Sequence, residues 1–215
     1  MDFDTITNEL VKISDLITGK GGRVKLELQE GATDEEIKAC FKNTPVPAPI
    51  YDCLRMIDIN YSFGGWMRPD SMPEKLWGFR SGLCKWVPRK VLERENERKK
   101  HVRKSKKPNP EKLVDELWER CFAFSPSFGP QFAKLAIDPR LGRDSPVYRL
   151  CEEKGVIGHG AVLGETFEAF FINWVRVGFV ANSEAWLALT DDFTRPLDAD
   201  CKVAKDWRNW LSADA

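Results

Sequence analysis

The amino-acid sequence predicts an α+β protein, in which helices pack on a mainly antiparallel sheet meander and helical extensions stand at both termini. Apolar residues follow helical spacing near both ends of the chain, whereas short apolar or alternating segments fill the middle. An order of helices, strands and helices is typical of this class. The 215 residues include eight Trp and 13 Phe, so the chain can bury a sizeable core. We therefore expect one domain over residues 1–215.

The first quarter of the chain predicts three helices and one strand. Four apolar residues at three- to four-residue spacing predict the first helix: Ile6, Leu10, Ile13 and Ile17. The glycines near residue 20 end this helix. Alternation in residues 23–29, RVKLELQ, predicts a half-buried strand. Thr33 and Glu36 have the spacing of a capping box at the start of the second helix. Pro49 suits the first turn of the third helix.

Residues 59–66, INYSFGGW, are interpreted as the junction at which the third helix ends and a sheet begins. We expect this helix to run from Pro49 to about Ile59, and Gly64 or Gly65 to adopt the positive φ of a helix stop. The alternative, a loop whose glycines let a ligand approach closely, stays open. The following residues, 66–86, are rich in aromatic residues, Gly and Pro, and they predict short strands and turns.

The segment after residue 86 is strongly basic. Residues 87–107 contain ten Lys or Arg and three Glu, an excess of seven positive charges, so the remainder of this neutral chain carries about seven negative charges. Few apolar residues follow Leu92, which predicts a solvated helix that passes into a mobile linker, with His101 exposed. We expect residues 93–108 to be a basic insertion in the domain.

The second half of the chain predicts the sheet meander and its covering helices. A helix is expected from Asn109 and Pro110 onward. The spacing of the aromatic residues in 165–179 predicts an amphipathic helix that packs on the sheet. Apolar stripes in 183–190 and 201–211 predict two helices in the tail. Short apolar segments between Gly, Pro, Asp and Ser predict the strands: FAFSP, QFAKLAID, SPVYRL and GVIGHGAVLG.

The sequence contains no recognisable catalytic or metal-binding pattern. Its two histidines, His101 and His159, have no partners at zinc-ligand spacing. The six cysteines are scattered, no G-x-S-x-G motif occurs, and TGKGG at 18–22 lacks the spacing of a phosphate loop. We expect no catalytic residue, no cofactor and no metal. An unrecognised enzyme, which would depend on His159, is the least favoured alternative.

The expected location is the cytoplasm, without membrane association. Scattered cysteines and an acidic N-terminus unlike a secretory signal indicate reduced thiols. No apolar run approaches the length of a membrane span. Nucleic acid is not an expected partner either, because aromatic residues do not interleave with the basic segment as base stacking requires.

Several segments, taken in their order along the chain, resemble the SUKH superfamily. Residues 31–66 resemble its opening, with a capped helix, a proline break, a second helix and a turn into the sheet, although SFGGW replaces the usual Asn–Gly. Residues 76–95 are similar to its next segment, residues 117–150 to its central meander, and LGETFEAFFINWV to its closing helix. The resemblance covers a core of about residues 30–178 and leaves 179–215 as a C-terminal helical extension.

The resemblance implies an α+β domain that binds proteins and has no catalytic activity. Many bacterial members are immunity proteins that neutralise a toxin, often a nuclease or a deaminase, and fungal members regulate cell-wall synthesis and signalling. We expect an immunity protein whose acidic body attracts a basic toxin. The alternative is an intracellular regulatory scaffold that uses the basic segment for interaction or nuclear targeting. The expected partner contacts are Asp138, Asp144, Glu152 and Glu153.

Overall fold

The computed structural model describes residues 2–64, 72–105, 115–125 and 133–213, without the side chains of Ser105 and Ser183. It confirms the α+β class, since helices combine with two antiparallel sheets. The α-helices are α1 (Phe3–Gly19), α2 (Asp34–Phe41), α3 (Ala48–Met56), α4 (Pro88–Ser105), α5 (Glu116–Arg120), α6 (Phe167–Arg176), α7 (Ser183–Thr190) and α8 (Lys202–Ser212). The strands are β1 (Arg23–Glu30), β2 (Ile57–Gly64), β3 (Gly82–Trp86), β4 (Phe122–Ala123), β5 (Lys134–Ile137), β6 (Val147–Leu150) and β7 (Val162–Gly164). Short 3-10 helices cover Glu74–Phe79 and Pro139–Asp144.

Strands β1, β2 and β3 form an antiparallel sheet in that order. A continuous register sets Tyr61 of β2 between Leu26 of β1 and Cys84 of β3. Ile59, Tyr61 and Phe63 of β2 are buried, and the residues between them are partly exposed. This alternation gives the sheet one face toward the core, where α1 packs, and one polar face.

Strands β4 to β7 form the second antiparallel sheet, a meander in chain order. Helix α6 joins the two sheets. Its Phe167 ring lies 5.2 Å from the ring of Phe124, beside β4, and its Phe171 ring lies 5.1 Å from that of Trp86 on β3. The predicted meander of the second half of the chain is therefore this one sheet, and it shares a hydrophobic core with the sheet of β1, β2 and β3.

The helices with strong sequence patterns are confirmed. Helix α1 buries the predicted stripe of four apolar residues. Thr33 and Glu36 form the expected capping box at the start of α2, and Pro49 lies in the first turn of α3. Helix α6 buries its aromatic residues as expected, and α8 buries Trp207 and Leu211 of its predicted stripe but leaves Trp210 partly exposed. Among the described residues, no helix is long and apolar enough to cross a membrane.

Residues 57–64 form strand β2, so the prediction that the third helix continues to about Ile59 is wrong. Helix α3 ends at Met56. The alternation of apolar residues from Ile57 to Phe63 buries one face of a strand, which a helix would not do. Gly64 pairs with Arg23 in the sheet and has no positive φ, so it is not a helix stop. Gly65 lies outside the described residues.

Residues 88–105 form one helix, α4, rather than a solvated helix that passes into a linker. Its buried positions follow helical spacing from Val91 and are polar: Glu95, Arg98 and His101. The prediction of an exposed His101 is therefore wrong. The predicted helix start at Asn109 lies outside the described residues, and α5 begins after Asp115.

Candidate partner-binding groove

Asp138, one of the four expected partner contacts, is a buried structural carboxylate. Its side chain is 2% exposed. Arg140 Nη2 donates to Asp138 Oδ2 at 2.7 Å, and Arg120 Nε lies 3.2 Å from the same oxygen. The hydrogen bond from the Arg140 side chain lowers the pKa of Asp138 and outweighs the opposing effect of burial. Asp138 therefore lies inside the protein, not on a surface that faces a partner.

The connection between β5 and β6 carries Asp144. The backbone N–H of Asp138 donates to Ser145 Oγ at 2.8 Å, which closes the base of this loop. The 3-10 helix Pro139–Asp144 fills the loop, and Gly142 supplies the positive φ that its bend requires. The loop packs beside α3 and leaves Asp144 exposed.

A groove of about 500 Å³ runs between α3, this loop and the first turn of α6. We call it the acidic groove. At its α6 side, Thr166 Oγ1 accepts the N–H of Ala169 at 3.1 Å, which caps the helix and fixes that wall. The groove is lined by Pro49, Asp52, Cys53, Met56, Arg143, Asp144, Thr166, Phe167 and Glu168.

The acidic groove combines an apolar wall with an excess of negative charge. Among the described residues that line it are three carboxylates and one guanidinium, which together carry a net charge of −2. Arg143 Nη2 lies 2.6 Å from Asp52 Oδ2 in a partly exposed pair. The N-terminus of α6 adds only about half a positive charge. A long cationic side chain, with its stem on the apolar wall and its head at the carboxylates, matches this combination.

Glu152 and Glu153 lie at the other end of β6 from Asp144. Strand β6 spans Val147–Leu150, which separates its two ends by about 10 Å of extended chain. Glu152 is partly buried, with Oε1 3.6 Å from Lys134 Nζ. Glu153 is exposed. The four expected contacts therefore do not form one surface.

Helix α4 contacts the second sheet through a buried polar network. Arg98 donates to both carboxylate oxygens of Glu95 at 2.7 Å and to the carbonyl oxygen of Trp118. The His101 ring lies 4.4 Å from a Trp118 ring, centroid to centroid. Sequence reasoning missed these residues because it treated charge as a sign of exposure. The available signal was their three- to four-residue spacing after Val91.

His159, on which the enzyme alternative depends, has both ring nitrogens engaged. The backbone N–H of Cys151 donates to Nδ1 at 3.1 Å, so we assign the proton to Nε2. Nε2 then donates to Asp115 Oδ2 at 2.8 Å. Partial burial opposes ionisation of Asp115, but hydrogen bonds from His159 and the Trp118 N–H outweigh it and lower the pKa of Asp115. No lone pair of His159 is left for general-base catalysis.

The cysteines are free thiols, and those with strongly raised pKa values are buried. Burial raises the pKa of Cys151 to about 11 and that of Cys121 to about 12. Such thiols are protonated at neutral pH, and a protonated thiol is a poor nucleophile. In the described part of the chain, no three His, Cys, Asp or Glu side chains are placed to hold a metal ion.

A larger pocket of about 790 Å³ lies between α7 and α8. Lys75 lies 2.6 Å from Asp206, and Arg195 is paired with Asp191. The charges of its described lining residues are balanced, with three cations against three carboxylates, so they give no net preference for either sign of ligand. The charged lining residues are Lys75, Arg195, Lys202, Asp191, Asp198 and Asp206.

Comparisons of the chain with protein-family models, with curated proteins and with solved structures find no match. The resemblance to the SUKH superfamily therefore stays a prediction. The structure itself defines the chain as an α+β protein with two antiparallel sheets, one shared core and an acidic groove at the junction of α3, the β5–β6 loop and α6.

Proposed function

We propose that this chain is a non-enzymatic protein-binding domain of the immunity type, which acts in the cytoplasm and neutralises a basic toxin. The observation that carries the proposal is the acidic groove, which joins a net charge of −2 to an apolar wall. Asp144 is exposed at this groove, and its loop is closed by a hydrogen bond at its base. The carboxylate is therefore presented on a loop of defined geometry.

The partner class follows from the charge of the groove. Enzymes that act on nucleic acids carry cationic side chains, because their substrates are polyanions. An Arg or Lys of such an enzyme meets the carboxylates of Asp144 and Glu168, and its methylene stem covers Met56. Occupying these cations blocks the nucleic-acid site of the toxin, and the charge of the acidic body speeds the encounter.

The test is direct binding to a nuclease or deaminase toxin domain encoded by a neighbouring gene. We expect binding at low salt that weakens as salt is added, because opposite charges steer the encounter. Asp144→Lys replaces attraction with repulsion in the groove, so the affinity falls by about tenfold or more. Isothermal titration calorimetry at two salt concentrations measures both effects.

Glu153→Lys is the matched control, since Glu153 is also an exposed acid but lies at the far end of β6. Its expected effect on affinity is less than about threefold. Toxin that does not bind the wild-type chain at low salt contradicts the proposed function. Binding that Glu153→Lys weakens more than Asp144→Lys does would move the contact surface away from the groove.

The second candidate is a regulatory scaffold that binds its partner through the basic segment. It is favoured by the exposed cations at the end of α4: Lys100, Arg103 and Lys104. Deleting residues 93–107 would not test it, because that deletion removes buried Glu95 and Arg98 and disrupts the fold. Reversing the three exposed cations to Glu leaves the buried face intact. Loss of partner binding in that variant, with binding retained in Asp144→Lys, favours the scaffold.

A further inference from the structure

In the described part of the chain, the two sheets have four edges, and three of them are covered by other residues. At β3, the N–H of Leu83 donates to the carbonyl oxygen of Phe179 at 3.0 Å, and Gly82 forms a bridge with Val180. At β4, the N–H of Ala123 donates to a carboxylate oxygen of Glu95. At β7, the N–H of Leu197 donates to the carbonyl oxygen of Leu163 at 2.8 Å.

Strand β1 is different. It pairs with β2 over its whole length, from Arg23 opposite Gly64 to Glu30 opposite Ile57, without a register shift. On its other side, no described residue forms a strand ladder or a backbone hydrogen bond with it. The strand has eight residues and contains no Pro or Gly. A long regular edge of this kind presents a row of backbone donors and acceptors to a further strand.

The apolar side chains of β1 are incompletely buried, because no described strand lies on the outer side of β1. Val24, Leu26 and Leu28 face the core but stay partly exposed. Their neighbours on the central strand, Tyr61 and Phe63, are buried. The difference follows from position, because an edge strand has a neighbour on one side only. A strand added to β1 would cover these aliphatic groups.

The charge pattern of β1 is self-complementary. In an antiparallel pair of two β1 strands centred on Leu26, position numbers in opposed residues sum to 52, and each side chain keeps its face. Lys25 then lies opposite Glu27 twice, Val24 lies opposite Leu28 twice, and Arg23 lies opposite Gln29. Shifting the pair by two residues in either direction puts Lys25 opposite Lys25 or Glu27 opposite Glu27. Of these three registers, only the one centred on Leu26 pairs Lys25 with Glu27 and places no like charges opposite each other.

We propose that β1 is a self-association edge, at which two copies of this chain pair antiparallel about a two-fold axis through Leu26 and join their three-stranded sheets into one six-stranded sheet. The partner is a second copy because β1 complements its own charges, with Lys25 and Glu27 exposed on the same face. The acidic groove, formed by α3, the β5–β6 loop and α6, is not part of this edge.

Sedimentation equilibrium of the whole chain over a concentration series tests the proposal. We expect the mass to rise from the 24.6 kDa of one chain toward twice that value. Lys25→Glu and Glu27→Lys each turn two attractive cross-strand pairs into repulsive ones, so each variant dimerises at least about tenfold more weakly. The double variant Lys25→Glu/Glu27→Lys restores both pairs and returns the dimer. A wild-type chain that stays monomeric overturns the proposal.

Mixing the two single variants fixes the register. The Lys25→Glu chain is acidic at both positions 25 and 27, and the Glu27→Lys chain is basic at both, so the proposed register pairs them as a heterodimer. We expect the mixture to dimerise where each variant alone does not. A mixture that stays monomeric overturns the register, and single variants that dimerise as the wild type does place the interface elsewhere.

Lys85→Glu is the matched control, since Lys85 is exposed on the same sheet face but lies on β3, at the covered edge. We expect its dimerisation to match that of the wild type. Circular dichroism checks that every variant is folded. Lys25 and Glu27 are both more than half exposed, so reversing their charges leaves the core intact. Hydrogen exchange supplies an independent measure: half of the β1 amides exchange more slowly as the wild-type concentration rises. Unchanged β1 exchange at concentrations where the mass rises overturns the proposal.

Discussion

A carboxylate oxygen of Glu95, in the middle of a strongly basic helix, accepts the backbone N–H of Ala123 on β4 at 3.0 Å. The same side chain holds the buried guanidinium of Arg98. One acidic residue thus covers the edge of the second sheet and compensates the charge that α4 buries against it. A buried arginine without a partner is costly, so α4 and the sheet depend on each other through Glu95.

Glu95→Ala is expected to lower the free energy of unfolding by about 3–5 kcal/mol, because it leaves Arg98 buried without its carboxylate partner. The measurement is urea denaturation followed by circular dichroism at neutral pH. Glu93→Ala is the control, since Glu93 pairs with Lys90 at the surface of the same helix. Its expected loss is below about 1 kcal/mol. Equal losses in the two variants would contradict the role given to Glu95.

Asp138→Asn is expected to weaken folding in a pH-dependent way. The folded pKa of Asp138 lies below its ordinary value of 3.8, so the ionised group stabilises the fold above about pH 4, and this contribution is lost as the pH falls through the folded pKa. At pH 7 the variant loses about 1–3 kcal/mol of unfolding free energy. At pH values below the folded pKa, the difference from wild type shrinks toward the value for two neutral side chains.

Urea denaturation at pH 7 and at acid pH measures the effect of Asp138→Asn. The control is Asp144→Asn in the exposed part of the same loop, for which we expect a change within about 0.5 kcal/mol at either pH. A difference between wild type and Asp138→Asn that stays constant from neutral to acid pH would rule out the ionised carboxylate as its cause.

We expect two variants of His159 each to keep one of its two hydrogen bonds and to lose the other. In His159→Asn, the side-chain oxygen takes the place of Nδ1 and still accepts the N–H of Cys151, but the bond to Asp115 is lost. In His159→Gln, the amide takes the place of Nε2, so the bond to Asp115 is kept instead. Hydrogen exchange of the Cys151 amide is therefore faster in His159→Gln than in His159→Asn. Each variant loses about 1 kcal/mol of stability. The reverse order of exchange rates would contradict the assigned tautomer.

The glycines at the two ends of the β2–β3 connection are expected to respond differently to substitution by Ala. Gly64 has an extended backbone, and among the described residues the nearest atom to an added Cβ is the carbonyl oxygen of Arg80 at 3.9 Å, so Gly64→Ala changes stability by less than about 1 kcal/mol. At Gly82 the added Cβ overlaps the Gly178 carbonyl oxygen and the Phe63 ring. Gly82→Ala therefore costs about 1–3 kcal/mol or more. Thermal unfolding measures both effects, and a Gly64→Ala variant that loses as much stability as Gly82→Ala would contradict the extended, open position of Gly64.

The elements that sequence predicted well are those in which apolar side chains repeat at a fixed spacing. The stripe of α1, the alternation of β1 and the aromatic face of α6 each lie on the buried side of their element. The boundary between α3 and β2 was misplaced because Leu54, Ile57 and the residues beyond fit helical and strand spacing equally well over so short a run. The strand assignment follows from the pairing of Ile57 with Glu30 of β1, which is distant in the chain.

The site was less predictable than the fold. Asp138, Asp144, Glu152 and Glu153 are all acidic in the sequence, yet one is buried against two arginines, one lies at the groove, and two stand at the far end of β6. Asp52 and Glu168 also line the groove, but they come from helices far apart in the chain. No local sequence pattern predicts that Asp52 and Glu168 lie close together, because their proximity arises from the packing of α3 against α6.

The sequence by itself determined the α+β class, the order of most elements and the strong contrast between a basic segment and an acidic remainder. Each of these properties depends on residues close together in the chain, through helix capping, the period of apolar side chains, or charge count. Only the tertiary structure decided that Glu95 and Arg98 are buried, that Asp144 faces a groove and that β1 alone among the described strands has an open edge. Those outcomes depend on contacts between residues far apart in the chain, because a charged residue that would be expected at the surface can be buried when a partner of opposite charge compensates it.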